Sequence, residues 1–333
     1  MKVSVIIKAL NEEQRIAAAV QSALDAVAEL GGEVILADSV SSDNTIAIAS
    51  EFPITIVQLK NPQEKRCGIG PQLGYQVATG EYIYILDGDM ELDPQFLATA
   101  VALFEQEPQL GGVAGIIEET SEASYQFRGR TRRLSGGEAG DAGHLEMGGL
   151  YRRAAIEQVG YFSNRNLHAF EELDLGLRLK NAGWTLKRLP QKSVVHHGYD
   201  EGNWPLLARR WRSHYADGSG ELIRASIGKP HFMSVLMSQK HLIIGLAIWL
   251  SLLIGIAGVI GGIGIGKWLL GGTGAVISLL ILLRTLRTRN IRDAVFAQVL
   301  WQVNSIALLR GLFAKATDPT APIEYTRIKT PEP

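Results

Sequence analysis

The chain has 333 residues, 46% of them hydrophobic, with 33 Lys and Arg against 34 Asp and Glu and one cysteine. That length admits one large domain with additions or two domains, and a formal charge of -1 leaves no basic excess of the kind that nucleic-acid binding requires. The lone Cys67 excludes an internal disulfide framework and fits a reducing compartment.

Residues 3–7 are a β-branched run that predicts a first strand. The run is too short for a signal-peptide core and Lys8 follows at once, so the N-terminal half is expected to stay in the cytoplasm. Asn11 with Gln14 has capping-box spacing, and Ile16, Val20, Ala23, Val27 and Leu30 continue at helical spacing up to Gly31-Gly32. Residues 34–37 predict a buried strand ending at Asp38, followed by a turn through Ser41 and Asn44 and a short helix that Pro53 stops. A third strand over 54–59, a polar loop through Lys65 and Arg66, and a helix from Pro71 to Gly80 come next. Residues 82–86 then form a short apolar run of the kind that makes a fully buried strand, broken by Asp87-Gly88-Asp89. Asp93-Pro94 has the form of a helix cap with a first-turn proline, and 113–117 predict a fifth strand. Strands and helices in this alternation predict a mostly parallel sheet covered on both faces.

Ligands of open α/β sheets gather at the carboxyl ends of strands, where Asp87 and Asp89 fall. Two carboxylates there, with a glycine between them, suit a divalent cation that keeps some waters and holds a substrate phosphate; a solvated acidic turn is the alternative. Beyond Arg128 the pattern dissolves into arginines and a Gly/Ala/Asp run, either a loop over the site or a solvated excursion. Periodicity returns with Gly148-Gly149 and Arg152-Arg153, then with a helix from Glu171 to Asn181, whose Asp174 and Arg178 stand one turn apart. A short strand over 194–195 ends in His196-His197.

After His241 the composition becomes that of a membrane segment. Residues 242–266 carry no ionisable group and supply roughly 37 Å of helix, enough for a bilayer crossing. Residues 268–283 are short for a span, though Lys267 and Arg284 can snorkel. Arg284, Arg287, Arg289 and Arg292 place both outer ends of this hairpin on the cytoplasmic side. A buried helical hairpin in a soluble protein is the other reading. A third apolar stretch, 294–314, carries Gln298, Gln302 and Asn304 and either spans or lies in the interface. The expected organisation is a catalytic domain over 1–230, a membrane-anchoring region over 231–316 and a polar, disordered tail over 317–333, at the cytoplasmic face of the cell (inner) membrane.

Six segments, in order, resemble an inverting family-2 glycosyltransferase of the GT-A fold over about residues 3–200. They are residues 5–13, with their Asn11-Glu12-Glu13 turn, and 37–45, with Asp38. Then come 74–80, with the Gly-x-x-x-Ala-x-Gly spacing; Asp87-Gly88-Asp89 as the metal-binding Asp-x-Asp; Gly148-Gly149 with Arg152-Arg153 as an acceptor-side segment; and 171–178 as the helix start that supplies the base. This chain departs from the pattern at Lys8, where proline is commonest, at Ser39 and Val40, at Gln72, and at Glu172, where aspartate is more usual.

The resemblance implies an α/β GT-A sheet followed by membrane helices, and a nucleotide-diphosphate sugar donor bound by Asp38, Asn11, Glu13 and Asp87. It implies a divalent cation, Mn2+ or Mg2+, held by Asp89 and Asp87, with His196 or His197 completing the shell, and Glu172 or Glu171 as the base. Lys65 and Arg66 can add positive charge at the diphosphate or form a solvated basic loop. The basic, aromatic segment from Trp204 to Tyr215 suggests an acceptor at the lipid bilayer surface, such as a lipid, a lipid-linked glycan or a polysaccharide. Two other functions compete: a sugar-phosphate nucleotidyltransferase, which needs a glycine-rich loop after the first strand that Leu10-Asn11-Glu12-Glu13 does not offer, and a catalytically inactive membrane scaffold. The Gly68-Ile69-Gly70 pair is not a dinucleotide fingerprint, because Leu73 stands where a third glycine belongs.

Overall fold

A computed structural model of the chain describes residues 2–120, 139–146, 148–198 and 201–331, so the basic run from Arg128 to Arg133 lies outside the described residues. Two compact units emerge, one made of residues 1–200 with 315–333 and the other of residues 201–314.

In the first unit, β1 (Val3–Ala9), β2 (Glu33–Asp38), β3 (Thr55–Leu59) and β4 (Tyr82–Asp87) pair in parallel, in the order β3-β2-β1-β4. The sheet continues through β8 (Gly149–Arg152), β6 (Leu110–Glu119), β9 (Thr185–His196) and β5 (Met90–Leu92), with the two-residue β7 (Gly140–Asp141) beside β9. Here it is mixed: β8 runs antiparallel to both its neighbours, whereas β6 and β9 are parallel. Every residue of β1 from Val3 to Ile7 is buried because both faces are covered. One face packs Val5, Ile7, Leu36 and Tyr84 beneath α1 (Ile16–Val27) and α4 (Pro94–Gln106). The other packs Ile6, Ile35, Ile83 and Ile85 with α3 (Ile69–Val77) and the helix Glu171–Asn181.

The approach of α3 to β1 depends on a missing side chain. A Cβ at Gly74 would lie 2.2 Å from Ile6 Cγ2, which is rooted in the buried sheet. Gly74→Ala is therefore expected to cost about 1–3 kcal/mol by overpacking, read as a lower thermal unfolding midpoint; an unchanged midpoint would show that α3 shifts freely.

Two local expectations change. Helix α1 starts at Ile16 with no side-chain cap, because Asn11 adopts φ 60° and its Oδ1 accepts from Ser42 N at 2.7 Å instead of capping a helix. The C-terminal tail is ordered: β10 (Tyr325–Lys329) adds antiparallel to the edge strand β3. Its polar, proline-rich composition hid what fastens it. Asn166 exchanges hydrogen bonds of 2.7 and 2.8 Å with Thr317, Gln76 does the same with the backbone of Ile323, and Ile323 is buried. An otherwise open sheet edge is thereby covered.

The second unit is helical. Short helices Asn203–Arg212, Gly218–Ser226 and Phe232–Ser238 precede three long ones, Lys240–Ile260, Ile265–Thr288 and Ile291–Leu312. Each of the three is long and apolar enough to cross a membrane. The second runs 24 residues, longer than the uncharged core of the stretch, because its basic last turns stay helical. Small residues set the packing: a Cβ at Gly266 would lie 2.5 Å from Val259 N, and one at Gly245 would lie 2.0 Å from Ser305 Oγ.

Candidate active site

The parallel register brings three strand ends together, pairing Lys8 with Asp87 across β1 and β4 and Ala9 with Asp38 across β1 and β2. The loops that follow β1 and β2 are laced to each other. Asn11 N donates to Ser41 Oγ at 2.9 Å, Glu13 Oε2 accepts from Asn44 N at 3.1 Å, and Glu12 N donates to Thr45 Oγ1 at 2.8 Å. Asp38 is fully buried and accepts from Ser41 N at 2.9 Å and Gln58 Nε2 at 3.0 Å. Val40 is held at φ 62°, a region a β-branched residue rarely adopts, and its carbonyl accepts from Lys65 Nζ at 3.0 Å. Asn11, Glu13, Asp38 and Lys65 thus build one rim of the site, and Arg66 follows Lys65, half-buried.

At the centre stands Lys8. Its ammonium lies 3.2 Å from Asp87 Oδ1, 3.0 Å from Glu171 Oε1 and 4.0 Å from Glu172 Oε1. The two glutamates open the helix Glu171–Asn181 after Phe170, which turns the chain at φ 71°. Burial works against the Lys8 charge, but Asp87, Glu171 and Glu172 outweigh it and hold the amine well above its ordinary pKa. Burial and then the neighbouring Glu171 push Glu172 up to about 8, with Lys8 pulling the other way. Asp87 is raised as well, by burial against the opposing pull of Lys8. Further along the same helix, Arg178 pairs with Asp174 at 2.8 Å and donates to the carbonyls of Tyr161 and Phe162, so Asp174 braces the fold.

Asp89 meets one of the two candidate histidines. His196 Nε2 lies 3.3 Å from Asp89 Oδ2, and its Nδ1 lies 2.8 Å from Glu119. Burial disfavours its charge, but the contacts with Asp89 and Glu119 prevail and carry the imidazole up to about 9. His197 is one residue on and its Nε2 pairs with Glu91 at 2.7 Å, away from Asp89. The acceptor-side reading of Arg152 and Arg153 is corrected. Because β8 is antiparallel to β4, Gly149 falls at the site end, whereas Arg152 pairs with Tyr82 at the far end of the strand. There Arg152 binds the carbonyls of Leu110 and Phe104, and Arg153 those of Gly80 and Ala78.

Among the described residues no group of three His, Cys, Asp or Glu side chains forms a ready metal cage. The donors present fit a cation that takes only part of its shell from protein and the rest from water and substrate phosphate. Asp89 and His196 offer an oxygen and a nitrogen 3.3 Å apart, and the Asp87 carboxylate lies nearby with its Oδ1 3.2 Å from the Lys8 ammonium. Sequence reasoning missed Glu119, the partner of His196, and the role of Lys8. Glu119 ends its strand as Asp87 ends β4, but β6 runs two residues past the predicted end.

The sequence model of Glycosyl transferase family 2 matches residues 4–160, which contain this strand-end site. Those residues are thus similar to a family-2 glycosyltransferase domain. An N-acetylglucosaminyl-diphospho-decaprenol L-rhamnosyltransferase of Mycobacterium tuberculosis is 46% identical over 69 residues, 20% of this chain and 22% of the relative. The match thus spans about a fifth of that relative's length. The mannosyltransferase PcManGT from Pyrobaculum calidifontis, solved with GDP-Man and Mn2+, superposes with a TM-score of 0.60 at 22% identity, covering 94% of this chain and 87% of that one. S. aureus TarS 1-349 with UDP-GlcNAc superposes with a TM-score of 0.51 at 14% identity, covering 95% and 93%. At these identities the likeness is one of fold, and it is the GT-A fold. In this chain Asp87 and the Glu171-Glu172 helix start surround one ammonium at the carboxyl end of the sheet, and Asp89 stands beside His196.

Proposed function

We propose that this glycosyltransferase moves a sugar, with inversion, from a nucleotide-diphosphate donor to an acceptor at the membrane surface. The observation that carries this reading is the placement of Lys8 within 4.0 Å of Asp87, Glu171 and Glu172, which puts the acidic strand end and the candidate base in one pocket. Asp38 and the rim of Asn11, Glu13, Lys65 and Arg66 face the nucleotide end. Asp89, His196 and Asp87 would hold a divalent cation, which supplies positive charge to the departing diphosphate when bound. Glu172 takes the proton of the acceptor hydroxyl as that oxygen bonds to the anomeric carbon, and the bond from that carbon to the diphosphate breaks on the opposite face. Glu171 is held by Lys8 and is less able to leave its place.

The lipid-linked acceptor named for the mycobacterial relative supports an acceptor of that class. The three apolar helices support membrane attachment, and the arginines that follow the second support a cytoplasmic active site. Thermal-shift screening against UDP, GDP and their sugars, with Mn2+ or Mg2+, tests the reading. Stabilisation by ATP or CTP alone would favour a nucleotidyltransferase instead.

The base sets the pH dependence. Glu172 carries its negative charge only as pH reaches and passes about 8, so kcat/KM is expected to fall about tenfold per unit below that value. Lys8→Met removes the cation that opposes this rise, so the limb should move to higher pH, and Lys8→Arg should restore it. A limb that stays in place in Lys8→Met would show that Glu172 does not titrate beside Lys8 in the working enzyme.

A further inference from the structure

The helical unit leaves the first compact unit after residue 200 and rejoins it at residue 315. The returning segment is built into that unit through Thr317 on Asn166, Ile323 on Gln76 and β10 on β3. Both ends of the helical unit therefore lie on one side of any bilayer, and the chain must cross an even number of times. Three helices are long enough to cross, with mean hydropathies of 2.6, 1.9 and 1.2 in chain order.

From this parity we infer that the helices Lys240–Ile260 and Ile265–Thr288 cross as a hairpin, while Ile291–Leu312 lies along the cytoplasmic lipid–water interface. The inference rests on the membrane reading above. Three independent features of the last helix agree with it.

Its close contacts fall at the ends of the hairpin nearest the arginines. Trp301 Nε1 donates to His241 O at 2.7 Å, Ser305 meets Gly245, and Arg284 donates to Gln298 at 3.2 Å and covers the Trp301 ring at 5.3 Å. Its other partners are the short polar helices. Arg310 pairs with Asp217 at 2.6 Å, a Cβ at Gly220 would meet Leu308 O at 1.9 Å, and Trp204 packs edge-on against Phe296 at 5.1 Å. Finally, Ile291 and Val295 at its start and Leu309 and Phe313 at its end are exposed, with the amides of Gln298 and Gln302 between them on the same face. Charged Arg292, Asp293 and Arg310 lie within the same helix. Exposed apolar residues and charged groups in both end turns, with amides between them, fit a segment embedded to headgroup depth better than one that crosses the hydrocarbon.

The test uses full-length single-cysteine variants on a Cys67→Ser background, in right-side-out and inside-out membrane vesicles, with a membrane-impermeant maleimide. Ile263→Cys, in the turn between the first two helices, should label only in right-side-out vesicles. Arg287→Cys and Lys315→Cys should label only in inside-out vesicles. Labelling of position 315 on the same side as 263 would mean that the last helix crosses, and would overturn the inference while leaving membrane attachment intact. Release of the protein by alkaline carbonate, with all three positions labelled in both preparations, would overturn the membrane reading itself. A spin label at Leu309 and another at Val295 should report the same shallow depth in lipid. Depths that differ by more than about 10 Å, against the shallow burial of an interfacial helix, would also contradict the inference.

Discussion

Glu172→Gln is expected to lose about two to four orders of magnitude of sugar transfer, the usual contribution of a general base, while the donor still binds. The amide keeps the shape of the side chain and removes only its capacity to take a proton. Glu171→Gln is expected to behave differently, because its carboxylate is already engaged by Lys8 at 3.0 Å. Removing that negative neighbour should lower the pKa of Glu172 and move the acid limb of the rate profile downward. Single-turnover transfer alongside donor titration measures both effects. Near-normal turnover in Glu172→Gln with loss in Glu171→Gln would move the base by one residue and leave the remaining site in place.

The second large effect falls on the donor side. Wild type with a nucleoside diphosphate at about 100 times its dissociation constant should gain about 2.7 kcal/mol of stability from mass action alone, provided Mn2+ or Mg2+ is present. Asp89→Ala should lose nearly all of that gain, since Asp89 is the carboxylate in contact with His196 and able to meet a cation beside the diphosphate. His196→Ala should lose less, because a water can fill a nitrogen donor's place. Thermal unfolding with and without EDTA reads the result. An undiminished, metal-dependent shift in Asp89→Ala would remove this aspartate from the donor site.

Much of this architecture was legible because buried parallel strands announce themselves. The runs before Asp38 and Asp87 are apolar on both faces and end in carboxylates, so strand and site were marked by the same residues. Features that depend on pairing direction or register were hidden. Arg152 and Arg153 follow two glycines at the site, but an antiparallel β8 carries them to the opposite end of the sheet. His196 and His197 are equivalent in composition, and only the register of β9 against β6 and β5 aims one at Asp89 and the other at Glu91. Lys8 was visible as a departure from the family pattern. Its partners Glu171 and Glu172 stand far along the chain, so its role emerged only with the fold. The tail misled for a compositional reason: few apolar residues and several prolines describe a disordered segment equally well as an edge strand fastened by one buried isoleucine and side-chain amides.

The most direct test of the central claim is a structure of the full chain with a nucleotide sugar and Mn2+. The account predicts the diphosphate beside Asp89 and His196, with the anomeric carbon between it and Glu172 and the Glu172 carboxylate on the face away from the leaving group. A nucleotide bound elsewhere, or Glu172 on the same face as the diphosphate, would contradict it.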